Sequence, residues 1–481
     1  MSPNAMIEKQ GYQTKEDSGL KASRRRDEDQ RWYLALVLSL ILTGITLLRL
    51  WWLESTVNPD LTPSTPRDHG EVDIHKHLGH LSPFFVPHNT PKSLESGTPP
   101  GCTVSKAFLI HRHGSRQPHP DELDIIQDLA YYINNNSALF SNPRTKLPKA
   151  WSFITKGWNS TLGTDALTAP GRQQLFDYGV ALRLRYPDLY SETDVVAGDE
   201  DRVVESARWF MDGYYGRDSN STGTLRIIGE DNDTVSWITP HQSCPKWDSD
   251  FGENSTTKWQ GTYLPPIAKR INKLLAKAYP GIQFTPAHIH GMLYACAYET
   301  ATYGIDSTPW CEVFKTHEIM DNEYEYDLRM RGFCGYGLPG EMGTVLGSLL
   351  VSNVTSFLGR DDGPKLSLAF GHDKTIALGL TTLGLAADKS YPPTGPVDPG
   401  RAWRSAELMP FAGYMLWKRL ECGEEKRVQL VLNGANYGLR PTGCRSDKYG
   451  SCAFEDFVNT ATVQAAVKLT HGDTRWKAAC Q

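Results

Sequence analysis

VSKAFLIHRHGSRQP, residues 104–118, sets an apolar run directly against a cluster of basic residues and a glycine. The run Val104–Ile110 is short, bounded and rich in branched and aromatic residues, the pattern of a buried strand. His111, Arg112, His113, Gly114, Ser115 and Arg116 then stand at its carboxyl end, where open α/β sheets bind ligands. The arrangement recurs downstream. Leu366–Phe370 (LSLAF) reads as a second buried strand, followed by Gly371, His372 and Asp373 and by a helix-compatible apolar stretch, Thr375–Leu385. If the two strands are neighbours in one sheet, both clusters meet at one rim.

Helical patterns fill the space between. Leu123, Ile126, Leu129 and Ile133 repeat at helical spacing and stop at Asn134–Asn136. Thr168 is an N-cap with Pro170 in the first turn and Leu175, Tyr178 and Leu182 on one face. Ile267, Ile271, Leu274 and Ala278 mark another helix, ended by Pro280–Gly281. Strands mixed with helices in this way predict an α/β fold, a mixed central sheet flanked by helices.

The chemistry of the rim follows from its residue types. Arg112 and Arg116 offer planar forks for phosphate oxygens, and Gly114 admits close backbone approach. A helix starting after Pro118 would add the partial positive charge of its N-terminus. Between two guanidinium groups the His113 imidazole resists protonation, so a neutral nucleophile persists below neutral pH. Asp373, protonated, can donate to a departing alcohol oxygen and, ionised, can activate water. Nucleophile, clamp and acid together make a phosphoryl-transfer site.

An H-D dipeptide alone carries no signal, and an Arg-rich turn alone is usually a solvated surface. The five fixed positions of R-H-G-x-R-x-P, however, recur by chance in only about one such chain in several thousand. Metal ligation by His111 and His113 is disfavoured, because dense guanidinium charge repels a cation. No metal and no cofactor is expected. The formal charge of −5 over 481 residues gives no support to a nucleic-acid-binding role.

The N-terminus carries the compartment information. Trp32–Leu48 is uncharged and apolar and continues through Arg49 to Leu53; at ~1.5 Å per residue it reaches about 30 Å, a bilayer core. Lys21, Arg24, Arg25, Arg26 and Arg31 precede it, which leaves the N-terminus in the cytosol and the remainder lumenal or extracellular. A cleaved signal peptide is the competing reading. The run exceeds an ordinary h-region, and tryptophans occupy the place of small cleavage-site residues. All nine cysteines lie beyond this segment with no zinc-like CxxC spacing, so disulfides with one cysteine left over are the better reading. Sequons stand at Asn135, Asn159, Asn220, Asn232, Asn254 and Asn353. The expected organisation is a cytosolic tail (1–31), a transmembrane signal-anchor (32–53), a stalk (54–75) and a catalytic region (76–481). His69, His75, His77, His80 and His88 read as scattered surface histidines of the stalk and its border.

On R-H-G-S-R-Q-P and H-D the chain resembles the histidine acid phosphatases, and among them the fungal phytase and acid phosphatase group. HLGHLSPFFV (77–86), Pro100-Gly101-Cys102, DALTAPG (165–171), DRVVES (201–206) and TPWCEVF (308–314) extend the match across residues 76–480. The resemblance implies a phosphoglycerate-mutase-like α/β domain with a smaller helical domain inserted, roughly at 119–190 and 245–340. It implies His113 as nucleophile, Asp373 as proton donor, and Arg112, Arg116, Arg202 and His372 as phosphate ligands. Arg202 comes from the resemblance alone; by itself it reads as a surface ion pair beside Asp199–Asp201. Disulfides Cys102–Cys422, Cys244–Cys480, Cys296–Cys311 and Cys444–Cys452 are implied likewise, with Cys334 free.

The chain departs from fungal phytases after the motif. Lysines usual there are replaced by His119-Pro120-Asp121-Glu122-Leu123-Asp124, and carboxylates at that place disfavour a polyanion. The expectation is an acid phosphatase acting on small phosphomonoesters, with hydrolysis of inositol hexakisphosphate as the alternative. A phosphoglycerate-mutase-like transferase and a non-catalytic, membrane-tethered binding protein are the competing classes.

Overall fold

The computed structural model describes residues 72–191, 193–231 and 234–481. The cytosolic tail, the membrane segment and the stalk up to residue 71 lie outside the described residues. Among these residues the sheet has eight strands. The first seven are β1 (Thr103–Arg112), β2 (Asp194–Gly198), β3 (Thr224–Ile228), β4 (Leu366–Gly371), β5 (Tyr414–Cys422), β6 (Glu425–Leu432) and β7 (Ala435–Tyr437). They lie in the order β3-β2-β4-β1-β5-β6-β7, and Cys452–Ala453 pairs β6. β3, β2, β4 and β1 run parallel, whereas β5, β6 and β7 add on as an antiparallel meander. The two apolar runs of the sequence are direct neighbours, with Arg112 opposite Gly371.

Strand alternation separates two cores. Phe108 and Ile110 face one side, packed with α7 (Met342–Gly359) and α8 (Asp373–Thr382); Ala107 and Leu109 face the other, packed with α2 (Ala169–Arg185) and α3 (Asp201–Tyr215). A third core forms within the helices α1 (Pro120–Asn135), α4 (Glu253–Leu275), α5 (Pro286–Tyr303) and α6 (Thr316–Cys334). Of the span 119–190, therefore, the part through Leu162 joins the helical core, while Leu175 and Leu182 of α2 pack on the sheet.

Thr168 caps α2 as expected, its hydroxyl accepting from the Gly171 N–H, and Leu123, Ile126, Leu129 and Ile133 are buried along α1. One helix differs. α4 begins at Glu253 and runs through Pro265 and Pro266, and its buried stripe is Trp259, Tyr263, Leu264, Ile267, Ala268, Ile271 and Leu275. Leu274, expected on that stripe, is exposed. Proline normally interrupts a helix, which hid the first half of α4; packing of Trp259 and Tyr263 carries it through. The histidines before residue 82 also depart from expectation. His75 and His80 are buried, and His77 contacts the buried Glu323 of α6, so these are packed rather than surface histidines, and packed structure begins by Ile74, just inside the expected stalk.

The four disulfides are Cys102–Cys422, Cys244–Cys480, Cys296–Cys311 and Cys444–Cys452, with Cys334 free and buried, and they place the body in an oxidising, secretory-pathway setting. Asn135, Asn159, Asn254 and Asn353 are exposed. Among the described residues one helix, α7, is apolar and long enough to cross a bilayer, and it is largely buried in the core beside the sheet.

Candidate active site

All four parallel strands end at one rim, and each hands over charged residues there. β1 leads into Arg112–Arg116, β2 into Glu200 and Arg202, β3 into Glu230, and β4 into His372–Lys374. Arg202 and Asp373 stand in the first turns of α3 and α8, so two helix N-termini open on the rim. The helix after Pro118 does so too, but its first turn carries Asp121 and Glu122, which offset its dipole. His113, Arg116, Arg202, His372 and Asp373 line one cavity of about 490 Å3, with Arg112 fully buried against Asp373.

His113 is buried, and its Nδ1 lies 2.8 Å from the Gly114 carbonyl oxygen. A carbonyl only accepts, so Nδ1 carries the proton and Nε2 keeps its lone pair. The imidazole is held well below its ordinary pKa by burial first, then by Arg112, Arg202, His372 and Arg116. Guanidinium charge was the cause legible in sequence; desolvation is the larger one. Gly114 has a different reason from the one expected. A Cβ there would stand 2.4 Å from the Gly171 carbonyl, so the glycine lets the start of α2 press against the loop. His111 points to the opposite face, stacked on Phe370 and Tyr414, and takes no part in the cavity.

The guanidinium groups of the rim are tied to neighbours and in part unsatisfied. Arg112 Nη1 donates to the carbonyls of His80 and Met409, at 2.5 and 2.7 Å, and its Nη2 stands 2.9 Å from Asp373 Oδ2. Arg112 Nε and Arg202 Nε are buried without a hydrogen-bond acceptor, the condition an incoming anion would relieve. Arg116 pairs with Glu122 at 3.2 Å, Arg202 with Glu200, and His372 Nε2 with Glu230 at 2.8 Å. Arg202 is thus a largely buried cavity residue, not a surface ion pair.

Asp373 is engaged in an ion pair with Arg112 in the free site. Burial would raise its pKa, but Arg112, followed by His80, Lys374 and His372, outweighs burial and holds the carboxyl well below the usual carboxylate range. In the ligand-free site it is ionised rather than protonated.

Three residues in or just behind the cavity wall have no sequence signal. His80 lines the cavity, edge-on to Tyr326, and burial drives its pKa down to about 3. Tyr298 donates to Glu122, whose pKa falls to about 2 because Arg116 and His119 outweigh its burial. Glu230 accepts from His372 Nε2 at 2.8 Å. Each is a lone polar residue in an unremarkable context; for His80 the HLGHLSPFFV match was the available hint.

Comparison with known proteins gives one answer. The profile of the histidine phosphatase superfamily (branch 2) matches residues 103–433. The thiamine-repressible acid phosphatase pho4 of Schizosaccharomyces pombe is 28% identical over 474 residues, covering 92% of this chain and 97% of that protein. Phytase A of Arthroderma benhamiae is 28% identical over 423 residues, covering 80% and 89%. Among solved structures, the phytase from D. castellii superposes with a TM-score of 0.73 at 21% identity, covering 86% of this chain and 90% of that one, and shares the fold.

Proposed function

The chain belongs to the histidine phosphatase superfamily, branch 2, and is a phosphoric monoester hydrolase of the acid phosphatase and phytase kind; from that premise we propose that it works through a phosphohistidine on His113. The observation that carries the reading is the His113 ring itself, with Nδ1 tied to Gly114 and Nε2 free beside Arg116, Arg202, His372 and Asp373 in one cavity.

Arg112, Arg116, Arg202 and His372 receive the phosphoryl oxygens. Nε2 forms the P–N bond as the P–O bond to the leaving alkoxide breaks, and Asp373 passes a proton to that oxygen. The proton arrives with the substrate. Because Asp373 is ionised in the free site, the productive pairing is with the ester monoanion, whose second pKa is about 6. Phosphate charge beside Asp373 then draws that proton onto the carboxyl. In the second half, Asp373 as carboxylate takes a proton from water, which attacks phosphorus, and His113 leaves neutral. Phosphate release by the purified ectodomain, against the same assay with His113→Ala, tests this; an active variant refutes it.

For the substrate we propose small phosphomonoesters. Asp121, Asp250, Glu253 and Glu325 line the cavity beyond the clamp and oppose a polyanion. Inositol hexakisphosphate is the second reading, favoured by Lys374 and Arg329, which flank the Phe333 ring on the same wall. We also propose that residues 32–53 anchor the enzyme as a type II membrane protein and that exposed sequons carry glycans. Resistance of the full-length protein to alkaline extraction from membranes tests the anchor.

A further inference from the structure

We infer that Glu230, delivered by the loop after β3, is a positioning residue that fixes His372 as a phosphate ligand. The inference rests on the phosphohistidine reading above and adds a residue to which no role has been attached.

The geometry has two independent parts. Glu230 Oε2 accepts from His372 Nε2 at 2.8 Å, and both side chains are nearly sealed, at 5% and 4% exposure. The His372 ring stands edge-on to His113 with centroids 5.7 Å apart, so the carboxylate sets the pose of a ring in contact distance of the nucleophile. The second part is Gly198, the last residue of β2. A Cβ there would lie 1.6 Å from Glu230 Oε1, so the glycine is the seat in which this carboxylate fits. Gly198 has ordinary backbone angles, since it is not among the residues of positive φ, so conformational freedom does not explain it.

A carboxylate on Nε2 fixes the orientation of a histidine ring, because only an N–H can face it. Such supporting partners commonly change the function of the group they hold by about 10- to 100-fold when removed. Glu200 plays a parallel part at the end of β2, paired with Arg202; ligand atoms of Glu200, Glu230 and His372 all lie within 4.8 Å of one another. Two carboxylates thus stand behind two clamp side chains.

The test is inhibition by inorganic phosphate and steady-state kinetics of the ectodomain carrying Glu230→Ala, Glu230→Gln or Gly198→Ala, with His113→Ala as the control. The expected result is a rise of roughly tenfold or more in both KM and the phosphate inhibition constant for Glu230→Ala, with kcat changed much less. Glu230→Gln, whose amide oxygen still accepts from Nε2, recovers part of the loss. Gly198→Ala reproduces it with the carboxylate still in the chain, because the new methyl displaces Oε1. If Glu230→Ala does not fold, the Gln and Gly198→Ala variants decide. Phosphate inhibition unchanged or strengthened in folded Gly198→Ala and Glu230→Ala overturns the inference. Turnover surviving in His113→Ala marks instead a failure of the underlying mechanism, so the two cannot be confused.

Discussion

At the sheet rim His113, Arg112, Arg116 and His372 are all buried, and strand ends, backbone carbonyls or paired carboxylates hold them. On the helical wall of the same cavity, Asp121 and Glu253 are exposed and their side chains have no partner among the described residues. The rim has carboxylates as well, but each is matched to a basic side chain: Asp373 to Arg112, Glu122 to Arg116, Glu200 to Arg202, Glu230 to His372. Preorganised, desolvated charge acts strongly on a reacting group, whereas exposed charge is screened and acts on which ligand approaches. The rim should therefore govern rate, and the wall should govern choice of substrate.

Substitutions can break that division, starting with the most severe. His113→Ala should lower kcat by at least ~10^4-fold on every phosphomonoester. Asp373→Asn should cost about 10^2- to 10^4-fold on alkyl phosphates and far less on nitrophenyl phosphate, whose leaving group needs no proton. A rate loss equal on both would remove Asp373 from the proton-donor role. On the wall, Asp121→Lys with Glu253→Lys should leave nitrophenyl phosphate turnover within about twofold. It should raise kcat/KM on inositol hexakisphosphate by roughly tenfold at low salt, a gain that fades as salt is added. The mildest effect concerns pH. With His113 held neutral well below its usual range and Asp373 ionised, kcat/KM should persist into acid and decline above the second pKa of the ester. Exchanging substrates whose second pKa values differ should shift the alkaline limb by that difference.

What was legible in the sequence follows from the same division. His113, Arg112, Arg116, His372 and Asp373 could be placed at one rim because both clusters follow apolar runs that turn out to be paired strands, β1 and β4. β2 and β3, which deliver Arg202, Glu200 and Glu230, gave no comparable signal: their burial is only partial, and Arg202 entered through resemblance. The ion pair that holds Asp373 ionised in the free site was not legible, because its contact with Arg112 exists only once the two strand ends are adjacent. Helical spacing found α1, α2 and the second half of α4, and missed the first half of α4, which two prolines separate from the rest of its apolar stripe.

The most direct measurement traps the intermediate. The ectodomain is mixed with a phosphomonoester carrying labelled phosphate and quenched in alkali, where phosphohistidine survives; the label is then mapped to a peptide. The account predicts label on the peptide containing His113, discharged by water on a chase, and no protein-bound label in His113→Ala. Label retained in that variant, or full turnover with phosphorus passing directly to water and never to the chain, would contradict it.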